Sequence, residues 1–267
     1  MKKLLKILML PISLACILLF GGWTTETENR YADAPILSTY ASETISFSSR
    51  TVDANYTAGG SPYFNQVSGM TNACGAVAGT EIVAFYDKYY DNLIPDWTSY
   101  YPASGVYRLQ DSEHVPAIMW DMYYLMNTNV TGEGVTEQEF LNGLKSYVQN
   151  HSYNVNMQNI VSSKSFDYSA FKNAINNNKV VALLANAGDI YSLSEHSSYD
   201  VIAPTTISAP HIMVAYGYYD VKYYDSNGNL FRNDMYLEIA TGLSALRIAL
   251  YKINPHNLTS AYIVNIN

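Results

Sequence analysis

The sequence predicts an α+β fold on three observations. Helical periodicity governs residues 72–150, β-branched and aromatic runs govern the chain from about residue 180, and an Asp-Ser-Asn-Gly turn (225–228) separates two of those runs. Helices followed by a mainly antiparallel sheet is the order expected of that class.

The segment NACGAVAGTEIVAFYDKYY, Asn72 to Tyr90, reads as the first helix. Asn72 or Thr71 can cap it; Val77, Ile82, Phe85 and Tyr89 fall on one side, and Glu81, Lys88 and Asp91 on another. Gly75, Ala76, Ala78 and Gly79 leave its first two turns nearly bare, which allows close packing. Ser112 to Asn127 carries Val115, Ile118, Met119 and Met122 at helical spacing. Thr136 to Asn150 opens on a capping box, in which Thr136 and Glu139 satisfy each other's orphan amides. A fourth helix covers about Asp167 to Asn177. Strands are expected at Val180 to Ala187, His211 to Tyr219, Met235 to Thr241, Leu246 to Ile253 and Ala261 to Ile266. Asp225 to Gly228 closes a hairpin between strands around Val221 and Met235. Tyr100 to Gln110 and Gly188 to Ala209 show no pattern and read as loops that would shape a pocket.

At 267 residues, 48% apolar and 14% charged, the chain has ample material for a globular core. Its 15 Lys and Arg against 23 Asp and Glu give a net charge of −8, and three of those cations lie in the N-terminal leader, leaving 12 against 23, or −11. Such an acidic chain has no electrostatic footprint for a phosphate backbone, so no nucleic-acid partner is expected. The 25 tyrosines and few cations suit a protein working outside the cytosol.

Lys2, Lys3 and Lys6 precede an apolar run from Leu4 to Phe20, closed by Gly21-Gly22. A basic start and an apolar stretch make residues 1–22 a secretory signal; a retained anchor is the rival reading, weakened by Pro11 and the glycine pair, and no stable membrane insertion is expected after its removal. Ala32-Asp33-Ala34 has the small-x-small form of a cleavage site, but Pro35 disfavours cutting there. Lipidation at Cys16 is not expected, because Ser13-Leu14-Ala15 departs from the required pattern. Residues 23–50, rich in Thr, Ser, Glu and Ala, read as a linker or short propeptide, and residues 51–267 as one domain.

Loss of the leader leaves one cysteine, Cys74, and hence no internal disulfide. Cys74 sits at a helix start, where unpaired amides and the macrodipole favour a thiolate, and it lies off the apolar stripe, unlike a cysteine kept for packing. The alternative is a small buried residue. Among five histidines, His114 and His151 belong to helices, with His151 a natural C-terminal dipole partner, and His196 and His256 lie in polar loops. His211 follows Pro210 and opens an apolar strand, a rigid place for a base. Gln66, eight residues before Cys74, can join the Cys74 backbone amide as an oxyanion donor. No H-x-x-x-H pair or cysteine cluster is present, so neither a metal nor another cofactor is expected.

These residues give the chain a resemblance to the papain-like cysteine peptidases, and within them to short exported bacterial members related to the bacteriocin-leader-cleaving branch. It is carried by Pro62-Tyr63-Phe64-Asn65-Gln66 leading to Asn72-Ala73-Cys74-Gly75, by FKNAINNNKVVALLANA ahead of the histidine strand, and by His211 to Tyr218. The Cys-to-His separation of 137 residues falls within the ~130–150 of that fold. The resemblance implies a helical lobe carrying Cys74 as nucleophile, a sheet lobe carrying His211 as base and then acid, Gln66 as oxyanion donor, and a peptide or protein substrate in the groove between them. It also implies an Asn or Asp behind the imidazole, which this sequence lacks; Thr241, Glu238 and Asp220 are the candidates. Ala76 stands where related sequences often have Pro. That gap keeps open an alternative, an inactive papain-like binding or adhesion module at the cell surface. A cell-wall amidase fits less well, since its Cys-to-His spacing is much shorter.

Overall fold

A computed structural model describes residues 29–33, 36–57, 62–95, 114–243, 246, 248–253 and 257–267. The expected leader, the loop 100–110 and His256 lie outside the described residues. Four strands come first: β1 (Arg30–Tyr31), β2 (Ile36–Thr39), β3 (Glu43–Ser46) and β4 (Ser49–Tyr56). There follow α1 (Cys74–Asp87), α2 (Val115–Leu125), β5 (Val135–Thr136) and α3 (Glu137–Asn150). After the short strands β6 (Val155–Asn159), β7 (Val161–Ser162) and β8 (Ser165–Phe166) comes α4 (Tyr168–Asn176). The chain then runs through β9 (Val181–Ala185), β10 (Gly188–Glu195), β11 (Tyr199–Ile207), β12 (His211–Tyr224), β13 (Leu230–Ala240), β14 (Ile248–Lys252) and β15 (Leu258–Ile266). The α+β class holds.

Eleven strands form one antiparallel sheet in the order β2-β11-β10-β14-β13-β12-β9-β15-β6, with β3 also on β11 and β4 also on β12. At its centre, β9 and β12 are apolar on both faces, and period-two alternation divides them between two cores. Ala182, Leu184, Ile212, Val214 and Tyr216 face the core built with α1, α2 and α3. Val181, Leu183, Ala185, Met213 and Ala215 face a second core with Phe171 and Ile175 of α4.

The capping box of α3 forms as the sequence predicts: Glu139 N donates to Thr136 Oγ1 at 3.1 Å and Thr136 N to Glu139 Oε2 at 2.7 Å. Asp167 caps α4, accepting from Ala170 N at 2.9 Å. The expected hairpin closes at Asp225, whose Oδ1 accepts from Asn227 N and Asn229 N, both at 2.8 Å.

Three expectations are corrected. The first helix begins at Cys74, with Ala73 as its cap, and neither Thr71 nor Asn72 supplies a side-chain cap. Its two-sided character is also absent: every residue from Cys74 to Asp87 is buried, Glu81 included, because α2, α3 and the sheet surround it. Gly75 and Gly79 permit this, since a Cβ there would lie 2.9 Å from Val135 Cγ2 and 2.8 Å from Met126 Cε. Finally, strands extend through regions that read as unstructured. From Arg30 onward the expected linker contributes β1 to β3 and the first two residues of β4, and the expected loop 188–209 forms most of the β10–β11 hairpin. β4 and β10 show no clean burial period, because most of their residues are exposed or half-buried.

Candidate active site

Cys74 opens α1 and His211 opens β12, and the packing of α1 on β12 brings these two ends together. Backbone groups of Ile212, the residue after His211, and of Gly75 hydrogen bond to the Cys74 sulfur. Cys74 is 2% exposed. Burial pushes its pKa up to about 12; the Ile212 and Gly75 bonds oppose that rise and the Asp33 charge adds to it. In this state sulfur is held as the thiol.

His211 is 1% exposed. Its Nε2 lies 2.7 Å from Thr241 O and its Nδ1 lies 3.2 Å from Ala32 O. A neutral imidazole carries one N–H, so it can donate to one of these carbonyls at a time. Among the described residues no hydrogen bond joins the ring to Cys74.

Of the three candidates to orient the imidazole, only Thr241 touches it, and through its main-chain carbonyl. The Thr241 hydroxyl donates to Leu246 O and accepts from Leu243 N. Gly242, at φ +71°, turns the chain there, with Val77 Cγ1 3.3 Å from where a Cβ would stand. That turn aims the Thr241 carbonyl at the ring. Glu238 pairs with Gly217, six residues along β12 and about 20 Å from His211 at strand rise. Asp220, farther along, binds Tyr168 and Lys172.

Gln66 is drawn to the same place by the segment Arg30–Asp33. With its amide nitrogen turned toward Asp33, Gln66 donates to the two carboxylate oxygens at 3.1 and 2.8 Å. The same carboxylate accepts from Asn72 N at 2.6 Å and Ala73 N at 2.9 Å, capping α1 from outside the helix. Ala32 N donates to Pro210 O at 3.2 Å, so this segment lies against the start of β12 as well.

Two side chains keep the niche in shape. Asn129 Oδ1 accepts from Asn72 Nδ2 at 3.1 Å and from Gly134 N at 2.7 Å, while its Nδ2 donates to Thr71 O at 3.0 Å. Glu81 Oε1 accepts from Phe64 N at 2.9 Å, anchoring the backbone two residues ahead of Gln66. Burial pushes the Glu81 carboxyl well above the usual range, with the Phe64 bond opposing.

The sequence reading missed the Thr241 carbonyl, Asp33, Asn129 and Glu81. A buried acid inside an apolar helix could have flagged Glu81; nothing in the local pattern marks the others. Among the described residues no group of acidic, histidine and cysteine side chains is arranged to hold a metal ion. Nor is any helix there long and apolar enough to cross a membrane. Compared with known protein families, with curated proteins and with solved structures, the chain matches none.

Proposed function

We propose that this chain is an exported cysteine peptidase of papain-like arrangement, with Cys74 as nucleophile, His211 as base and then acid, and Gln66 with the Cys74 amide as oxyanion donors. One observation carries the reading. The consecutive residues Ala32 and Asp33, whose Cα atoms are about 3.8 Å apart, touch His211 on one side, and Gln66 and the amides adjoining Cys74 on the other. The three residues therefore border one niche, at a helix N-terminus that favours negative charge.

In the reaction, His211 takes the thiol proton and sulfur bonds to the peptide carbonyl carbon, whose π pair moves to oxygen and is held by the donors. Collapse breaks the C–N bond as the imidazolium protonates the leaving amine, and water, activated by the same imidazole, then cleaves the thioester. The Thr241 carbonyl supplies the orienting acceptor that an Asn or Asp side chain would otherwise provide.

The test is cleavage of casein from pH 5 to 8 by the parent chain and by Arg30→Ala, which loosens the segment over the niche, each with and without Cys74→Ala. Cleavage that Cys74→Ala abolishes is the expected result. A Cys74 thiol that alkylates readily while casein stays intact throughout that range would overturn it. A second reading, a papain-like binding module without turnover, is favoured by the carbonyls facing both ring nitrogens and by the thiol's pKa of about 12. That same negative result would support it.

A further inference from the structure

We propose that the sheet carries a binding pocket away from Cys74, which takes an alkylammonium group on an apolar stem and rests its charge on Glu238 among Tyr56, Tyr191 and Tyr219. This goes beyond the peptidase reading and does not depend on it.

The strands that build the pocket close on themselves. β3 pairs with β11 and β4 with β12, and β3 runs into β4 through Phe47 and Ser48, whose amides donate to opposite sides, to Ser198 O and Tyr224 O, both at 3.0 Å. Between those two ends β11, β10, β14, β13 and β12 pair in that order. One cross-strand row runs from Tyr56 to Gly217, Glu238, Leu250 and Tyr191, each opposite the next, so their side chains share a face. In a flat sheet, strand spacing would hold the two tyrosines about 19 Å apart. Here both line one cavity of about 300 Å³, because the strands curl. That volume suits a small ligand or a single side chain.

The lining sets the chemistry. A Cβ on Gly217 would stand 2.5 Å from Tyr56 Cδ1, so the Tyr56 ring lies across the bare glycine and its hydroxyl donates to Glu238 on the far side. Tyr219 donates to Glu195, which Arg50 Nη2 meets at 2.8 Å. Glu238 is different: half-buried, it bonds to Tyr56 and, among the described residues, pairs with no cation. Burial and the charges of Glu238 and Glu195 push the Tyr56 hydroxyl up to about 12. A carboxylate lacking a cation, beside the negative faces of aromatic rings, attracts an ammonium, and Leu193 and Leu250 offer its stem an apolar wall.

The test is NMR titration of the 15N-labelled full chain, Glu238→Gln and Tyr56→Ala with n-butylammonium, and with n-butanol as its neutral counterpart; circular dichroism verifies folding. Saturable binding of the amine alone is expected, weakened at least about tenfold in Glu238→Gln and about two- to fivefold in Tyr56→Ala. Nα-acetyl-lysine methylamide binding more tightly than n-butylammonium assigns the pocket to a peptide lysine, and binding no more tightly assigns it to a free amine; either supports the site. No saturation by n-butylammonium, equal saturation by n-butanol, or unchanged binding in folded Glu238→Gln would overturn it. Should Glu238→Gln not fold, Tyr56→Ala decides alone, since its side chain is 47% exposed. Both variants leave Cys74 and His211 in place, so casein cleavage bears on the peptidase reading alone.

Discussion

Glu81→Gln should change how stability depends on pH. The Glu81 carboxyl lies within α1, 1% exposed, and burial pushes its pKa well above the usual range despite the bond from Phe64 N. In the unfolded chain a glutamate ionises near ~4.3. Above that pH the unfolded state releases a proton that the folded state retains, so stability is full below about 4.3 and falls as pH rises toward the folded value. The slope is about 1.4 kcal/mol per pH unit for as long as the folded group stays protonated. Glutamine has nearly the same volume and keeps an oxygen to accept from Phe64, but it cannot ionise. Any cost of burying its NH2 is constant with pH, so the slope is the readout. Urea unfolding followed by circular dichroism at pH 5, 6 and 7 should show the parent losing stability relative to Glu81→Gln as pH rises, at no more than that rate. Parallel dependences would refute a raised Glu81 carboxyl.

Two further outcomes are expected. Asp234 is 3% exposed and lies between Lys252 Nζ at 2.7 Å and Arg232 Nε; burial pushes its pKa up, but those two cations outweigh it and leave it lowered. Its contribution is present above the unfolded value of ~3.9 and is lost as pH falls through the folded one, so Asp234→Asn should lower stability by about 1–3 kcal/mol at pH 7 and by progressively less as pH falls below ~3.9, measured by thermal melts. Gly143→Ala would place a Cβ 2.3 Å from Met126 Cγ and 2.9 Å from the Met126 backbone, so this substitution should cost about 1–3 kcal/mol in urea unfolding, although alanine is the better helix former.

Much of the fold was legible because its signals are local. The Thr136–Glu139 box, the Asp225 turn and the apolar runs of β9 and β12 each declare themselves within a few residues. The burial of α1 was not legible, since an amphipathic pattern assumes one wet face and this helix has none. That correction removes one argument for Cys74, its place off the apolar stripe, because the opposite side of α1 is buried too. Position at a helix start, spacing to His211 and proximity to Gln66 do not depend on it. The strands β1 to β4 were hidden because they pair with strands far along the chain, β1 with β5, β2 and β3 with β11 and β4 with β12, a relation that no local period encodes. Asp33 belongs with them: it lies some forty positions before the amides it caps.

The carbonyl of Thr241 behind the imidazole has a practical consequence. Every residue type carries a C=O, so an alanine scan would walk past position 241 without touching the contact, and a search built on side-chain identities would find no partner for His211 there. Replacing the 241–242 amide by an ester, which weakens that acceptor while leaving every side chain as it was, is the kind of change that reaches it.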